Sequence, residues 1–582
     1  MKRLADFKKL TKAEGDLVKW LQAGNRKVFV LGQSVPDGPS DAVTLGATFV
    51  RYLALGGCTA CRLPETGLRV QGAYIDGDEE HSDFTTGIDL SSGDVKTEIH
   101  LIHCRIPDKI CLVMTRGITF DLSDSILDGG LDARGLKATG GIQLNCCRIC
   151  HSASLLGASL EGSFDANKTI FTEYQGSILD SDGIKRMIDC RGINIGGGFR
   201  LMNSTLEESI DLTGANIKGN LNLLGSSGGI HTSKSDHTRP SEARQFLVAN
   251  RISVSGDVNL RNCSGPSSAC AYSRIEGDLK IGVEKKKGPK YFSELNLRGT
   301  VIRQCLEFRT DEKLSTKFDL QNLMVARLND NISNWPDGKN LKLNGIRIGT
   351  FETHIDAVSR SKWLEKRGDD FFPQPWEETA KVLREMGHGE DARAILIEKE
   401  RLQRAARRKR LFATRSLLGI LLFLWFGFWD WVVKWTVRYG RQPLTAFLWL
   451  FLVWLLGWAV FAWAAGQGDL KPNLPQTQVH PAWVECAEYG ARRWASHATQ
   501  VECFRAQPEG KSYPHFNALF YSADTLFPVV SLEMQSYWIP DDTKPLGMLA
   551  RWYLWAHIIA GWALTLLAVA GFSGLIKTDN TK

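Results

Sequence analysis

Between residues 138 and 308, apolar side chains fall at alternate positions in one recurring phrase, apolar-x-Gly-x-apolar-x-apolar. It reads Leu160-x-Gly162-x-Phe164-x-Ala166, Ile195-x-Gly197-x-Phe199-x-Leu201 and Ile217-x-Gly219-x-Leu221-x-Leu223. It returns as Val254-x-Gly256-x-Val258-x-Leu260 and Ile275-x-Gly277-x-Leu279-x-Ile281, with a looser copy around Gly140 and a degraded one at Ile302-x-Gln304-x-Leu306-x-Phe308. The phrase glycines stand 21 or 22 residues apart except for steps of 35 and 37, so one unit is 21 or 22 residues long, with insertions in two units. Period 2 predicts short strands with one buried face, and glycine at a constant offset marks a place where a Cβ would obstruct the backbone. Repeats of this kind stack into a β-solenoid. Leu122, Leu127, Leu131 and Leu136 recur nearly every five residues, and the run from Asp211 to Ile217 (DLTGANI) has the small-polar-apolar cadence of pentapeptide repeats.

An open end of such a stack needs cover. Leu10, Leu17, Trp20 and Leu21 share one face of a helix predicted over 10–23, and 42–55 is mostly apolar, so residues 1–56 are expected to form a helical cap on a solenoid over 57–354. From 355 the period changes to about 3.6. After Pro373 and Pro375 two helices are predicted, joined at Gly387, His388 and Gly389, and the second runs into a basic cluster of Arg401, Arg404, Arg407, Arg408, Lys409 and Arg410. Residues 355–410 therefore read as a helical connector. Its basic end immediately precedes the apolar third of the chain, which favours contact with anionic lipid on the cytoplasmic side over nucleic acid.

The last third has a different solvent. Residues 442–468 contain no Asp, Glu, Lys or Arg, and 444–465 is long enough to cross about 30 Å of hydrocarbon. A second run, Trp552 to Ile576, is interrupted among ionisable side chains only by His557. A third, Ser416 to Trp429, is 14 residues long and crowded with Trp, and this length suits an interfacial helix within 411–440 better than a spanning one. Two spans put the basic cluster, Arg438, Arg441 and Lys577 on one side, in keeping with positive-inside bias, and residues 467–550 on the other. Cys486 and Cys503 lie in that outer segment and are a candidate bridge, with two free thiols as the alternative.

Within 441–582, His515 to Trp538 is apolar but broken by Asp524, Pro528 and Glu533. A half-membrane helix from about Phe516 to Phe527 with an extended return fits it, and such re-entrant backbone is tolerated only against protein or a water cavity. Span, outer segment, re-entrant helix, extended return and span is the order of two-transmembrane pore-loop channels, and Asn517 to Thr525 (NALFYSADT) is similar to their pore-helix phrase. With the connector and the imperfect repeat, the chain resembles bacterial pentapeptide-repeat-like membrane proteins with a potassium-channel-like tail. That resemblance implies a multi-domain fold: helical cap, β-solenoid, helical connector, and an α-helical membrane domain with a re-entrant pore loop. It also implies an inner-membrane location with the solenoid cytoplasmic, and a homo-oligomer, a tetramer by analogy. The pore and filter candidates are Ser522, Asp524, Thr525, Pro528, Val529, Val530, Ser531, Leu532 and Glu533. Where potassium channels have Thr-Val-Gly-Tyr-Gly, this chain has Pro528-Val-Val-Ser-Leu-Glu533, with no glycine to expose a ring of carbonyls, so cation preference would have to come from Glu533 or Asp524; the alternative is a lid packed between the spans, with Asp524 capping or pairing locally. The expected activity is ion conduction regulated by the solenoid through an unidentified cytoplasmic ligand or protein.

Composition limits the competing classes. The chain has 582 residues with 43% apolar and 23% charged, which excludes a disordered polymer, and its net charge of +7 is modest. Of 18 Trp, 14 follow residue 410. The opening MKRLADFKKL has no apolar core of a signal peptide, which leads to the expectation of a cytoplasmic front and of reduced, packing thiols for the 11 Cys before residue 306. Gly196, Gly197 and Gly198 sit in the strand phrase and open no helix, so they do not form a dinucleotide fingerprint. Cys58 with Cys61, and Cys147 with Cys150, have the spacing of a redox dithiol or half a zinc site, but residues three apart in a strand point to opposite faces. No catalytic constellation or cofactor is predicted. A membrane-anchored solenoid scaffold without conduction is the second reading, and a membrane-associated oxidoreductase the third.

Overall fold

The computed structural model describes the chain except residues 1–3, 5–6, 8–9, 78–85, 173–185, 230–244, 285–290, 367–370, 414–424, 426, 428–443, 490–498 and 573–582. It divides into two compact units, Met1–Leu396 and Ile397–Lys582.

The first unit is a parallel β-solenoid of about ten coils followed by helices. A coil is four short sides, seen at Arg116–Gly117, Phe120–Asp121, Ile126–Leu127 and Leu131–Asp132. Each side pairs in parallel with the same side of the next coil, so one inward rung reads Ile99, Phe120, Ile142, Phe164, Phe199, Leu221, Val258, Leu279 and Leu306. The two long steps in the repeat leave this register intact, because Phe164 pairs with Phe199 and Leu221 with Val258 across them. The rung residues are almost wholly buried, each aliphatic side chain contributing about 1.5–3 kcal/mol. The phrase glycines stack on one another: a Cβ on Gly162, Gly219 or Gly277 would stand 2.6 Å from the backbone of Gly140, Gly197 or Gly256 in the preceding coil.

Small polar residues and thiols occupy one inner corner. Ser125, Cys147, Ser204 and Cys263 donate to Leu101, Leu122, Ala166 and Leu223 carbonyls at 2.7–3.0 Å, and Thr169 and Ser226 donate likewise to Leu144 and Leu201. Cysteine serves here as a slightly larger serine. Burial pushes the thiols of Cys104, Cys147, Cys263 and Cys270 up to about 12, so they stay protonated.

Both ends of the stack are covered. At the front, α1 (Lys12–Gln22) opens with a capping box in which Thr11 accepts from the Glu14 amide while Glu14 accepts from the Thr11 amide. The same Glu14 carboxylate takes the Gly46 amide at 2.8 Å, tying α1 to the strand Thr44–Gly46 that leads into α2 (Ala47–Ala54). The first coil begins inside this segment, since Phe29–Val30 pairs with Val70 and Gln71 and Thr44–Gly46 with Tyr74–Asp76. At the back, α3 (Ala357–Glu365) carries Arg360, fully buried against Asp330 at 2.9 and 3.2 Å and stacked 3.9 Å over the Phe351 ring. Helix α4 (Gln374–Glu385) lies on the last edge strand, Arg347–Phe351. Gln374 accepts from the Gly345 amide (2.8 Å) and donates to the Ile346 carbonyl (2.9 Å), and Glu378 accepts from the Ile348 amide at 3.3 Å. Side chains one helical turn apart thus occupy the strand groups that another coil would take. Helix α5 (Gly389–Ala413) follows, carrying the basic cluster.

The second unit holds two helices long and apolar enough to cross a membrane, α6 (Leu444–Gly466) and, at its end, Pro545–Phe572. Their most apolar windows are only 22% and 28% buried within the protein, whereas the core helix of a soluble domain would be mostly covered. The predicted interfacial segment 411–440 lies almost entirely outside the described residues, as does Lys577. Between the two apolar helices come α7 (Pro481–Tyr489), α8 (Gln500–Ala506) and α9 (Ala518–Leu526); the C-terminal apolar helix is α10 (Pro545–Phe572).

Candidate functional site

Helix α9 starts at Asn517, whose side chain accepts from the Leu519 and Phe520 amides at 3.0 and 3.2 Å and so caps the helix. The helix then packs between α6 and α10. Tyr521 meets Phe461 edge-on with ring centroids 4.8 Å apart, in a cluster with Trp538 and Leu554. One residue on, the Ser522 hydroxyl donates to the Trp454 carbonyl at 2.8 Å, and the Trp454 indole donates to the Leu519 carbonyl at 3.1 Å. At its far end Leu526 packs with Leu450 and Leu564. These partners run from residue 461 to 450 of a helix about 35 Å long, so α9 reaches past the middle of α6.

Two glycines make the close approach available. A Cβ on Gly561 would stand 2.0 Å from the Leu526 carbonyl oxygen, and one on Gly457 would stand 2.3 Å from Ser522 Oγ and 2.5 Å from His557 Cε1. His557 completes the contact, with Nε2 3.2 Å from the Ser522 carbonyl and Nδ1 3.4 Å from the Tyr553 hydroxyl. A carbonyl only accepts, so Nε2 carries the proton and Tyr553 donates to Nδ1.

After Leu526 the chain turns and comes back. Strand Trp538–Pro540 pairs antiparallel with Leu470–Pro472, just beyond the end of α6, and the Tyr513 hydroxyl donates to the Tyr537 carbonyl, so entry and exit lie at the same end of the helix pair. Lys471 pairs with Asp541 at 3.3 Å and with Asp542, and Lys544 donates to the Gly468 carbonyl at 2.7 Å, fastening that end. Beside it, α7 and α8 are joined by a disulfide between Cys486 and Cys503, with Cα atoms 5.8 Å apart and Trp483 edge-on to Phe504.

The nine pore and filter candidates separate by orientation. Ser522 and Thr525 are buried, Thr525 donating to the Tyr521 carbonyl at 2.8 Å. Asp524 accepts from the Leu532 amide at 2.6 Å and the Gln535 amide at 2.7 Å, one on each carboxylate oxygen, and so ties α9 to the return. Pro528 is half-buried in the turn. Val529 is 88% exposed, and Val530, Ser531, Leu532 and Glu533 are exposed with it. Glu533 has a φ of 60°, a left-handed conformation. The basic cluster lies on α5, where Arg401 pairs with Glu398 and Arg407 and Lys409 are exposed.

Sequence reasoning did not assign roles to His557, Gly457, Gly561 or Trp454. His557 could have been found, as the one side chain between Trp552 and Ile576 that can take a charge near neutral pH; a glycine or tryptophan in an apolar run carries no comparable signal. The two C-x-x-C pairs differ: Cys58 and Cys61 are disulfide-bonded, whereas Cys147 is buried and Cys150, a free thiol, lies 3.6 Å from the Asp128 carboxylate. Among the described residues, no group of three or more His, Cys, Asp or Glu is placed to hold a metal. The chain matches no family model, no curated protein and no solved structure.

Proposed function

We propose that the protein is an oligomeric membrane ion channel, regulated by its cytoplasmic β-solenoid, in which the exposed return of residues 529–533 from each copy faces a shared aqueous path. The observation that carries this reading is a conflict of environments. Helix α9 lies alongside two apolar helices past their midpoint, and the chain returning from it presents Ser531 and Glu533 outward. Lipid cannot satisfy the turn backbone at the far end of α9, nor an outward carboxylate on the chain returning beside apolar helices. Water between copies can, and a single pair of spanning helices cannot enclose it, so the reading requires rotational symmetry. Asp524 is committed to two backbone amides, which leaves Glu533 as the charge that favours cations, with the exposed Val529, Val530 and Leu532 beside it on the same return.

Purified full-length protein in planar bilayers tests it. Unitary currents with cation preference are expected, and Glu533→Gln is expected to weaken that preference. A stable, folded particle that is monomeric in lipid and electrically silent would overturn the proposal and leave an anchored solenoid.

A further inference from the structure

An enclosed polar contact of the membrane unit lies away from the exposed return, at His557, which is 2% exposed. Its imidazole lies against Phe461 edge-on (5.7 Å between centroids) and stacks on Tyr553 (5.4 Å), with Gly457 leaving room for the ring. The groups facing it are almost all uncharged. Helix α6 carries no ionisable side chain between Leu444 and Gly466. Helix α9 offers Tyr521 and Asp524, but the carboxylate of Asp524 is turned to the Leu532 and Gln535 amides. Helix α10 offers the Tyr553 hydroxyl and Arg551, whose guanidinium donates to the Pro540 carbonyl. The partners of the imidazole are therefore a carbonyl, two hydroxyls and aromatic faces.

We propose that His557 is a proton-operated latch on the re-entrant helix: neutral, it seats α9 against α6 and α10; protonated, it releases it. The proton is taken from water at Nδ1. The Tyr553 hydroxyl must then turn from donor to acceptor, and the new positive charge has no carboxylate to meet it. An unpaired charge in a dry contact is relieved by admitting water, and on the Nε2 side that room opens when Ser522 and its helix move away. The latch rests on the same seat as the conduction reading but needs no ion flow to operate.

Hydrogen exchange on the full-length protein in lipid nanodiscs tests this, followed on peptides covering Ala518–Leu526 between about pH 5 and 8, where an ordinary imidazole changes charge. After correction for intrinsic chemistry, opening of α9 in the wild type is expected to rise about tenfold toward acid, and to be flat in His557→Gln. The same acid response in both proteins overturns the latch. Should His557→Gln be unseated at every pH, Tyr553→Phe decides: it keeps the imidazole and removes its hydroxyl partner, so a retained or enlarged acid response supports the latch and a lost one overturns it. Silent bilayers with acid-released α9 would sink conduction alone, and currents with a pH-indifferent α9 would sink the latch alone.

Discussion

Asp524 and Glu533 are both acidic residues near one turn, yet their surroundings give them different work. Each oxygen of Asp524 accepts one main-chain N–H of the return, so Asp524→Ala leaves two donors without a charge-assisted partner and is expected to cost about 1–3 kcal/mol. The loss should appear as a lower thermal midpoint and as faster proteolysis between Phe527 and Tyr537. Glu533 is exposed and held at positive φ. Glycine adopts that conformation without a Cβ penalty, so Glu533→Gly is expected to stay within about 1 kcal/mol of the wild type in stability while removing the charge. A selectivity change in Glu533→Gly without a stability change would separate the electrostatic role from the structural one.

At the scale of the element, a solenoid rung shows how charge is stored between coils. His100 and Asp121 are register neighbours on adjacent coils, with Nδ1 3.2 Å from Asp121 and Nε2 2.9 Å from Glu98. The Asp121 hydrogen bond raises the proton affinity of His100 above that of an ordinary imidazole; partial burial opposes this and Glu98 reinforces it. Because the folded-state value is the higher one, this stabilisation is complete below the unfolded value of about 6.5 and is lost as pH rises through the raised folded value. The urea midpoint of the solenoid transition should therefore fall as pH rises above about 6.5 in the wild type. A His100→Gln variant should show a flatter profile, and an equal decline in both would exclude the rung as its source.

At the scale of the whole molecule, the unit carrying the solenoid and the unit carrying the two apolar helices bury their side chains by different means. The first closes its own core, and both of its strand ends are covered by helices. The second leaves most of its apolar helix surface uncovered by protein. With two crossings, proteolysis of sealed vesicles should cut the solenoid from one side and reach α7, α8 and the Cys486–Cys503 bridge from the other. Cleavage of both from the same side would exclude the two-crossing arrangement.

The repeat period, the parallel stack of short strands and the two long apolar helices could be read from residue order, because each follows from spacing along the chain: period 2, a constant 21 or 22 residue step, and unbroken hydrophobic length. Reduced, packing thiols were expected of every cysteine before residue 306; Cys104, Cys147 and Cys263 pack so, whereas Cys58 and Cys61 depart from that expectation as a disulfide. A half-membrane helix from about Phe516 to Phe527 with an extended return was legible as an apolar run too broken to cross, and a helix stands at Ala518–Leu526. Their orientation came from contacts distant in sequence. Ser522 meets Trp454 and His557, Leu526 meets Leu450 and Leu564, and Asp524 turns to backbone amides eight and eleven residues on. No local propensity encodes which side of a short helix faces its neighbours or which carboxylate is consumed by a cap. Those outcomes belong to packing, where two glycines remove the Cβ atoms that would have kept three helices apart.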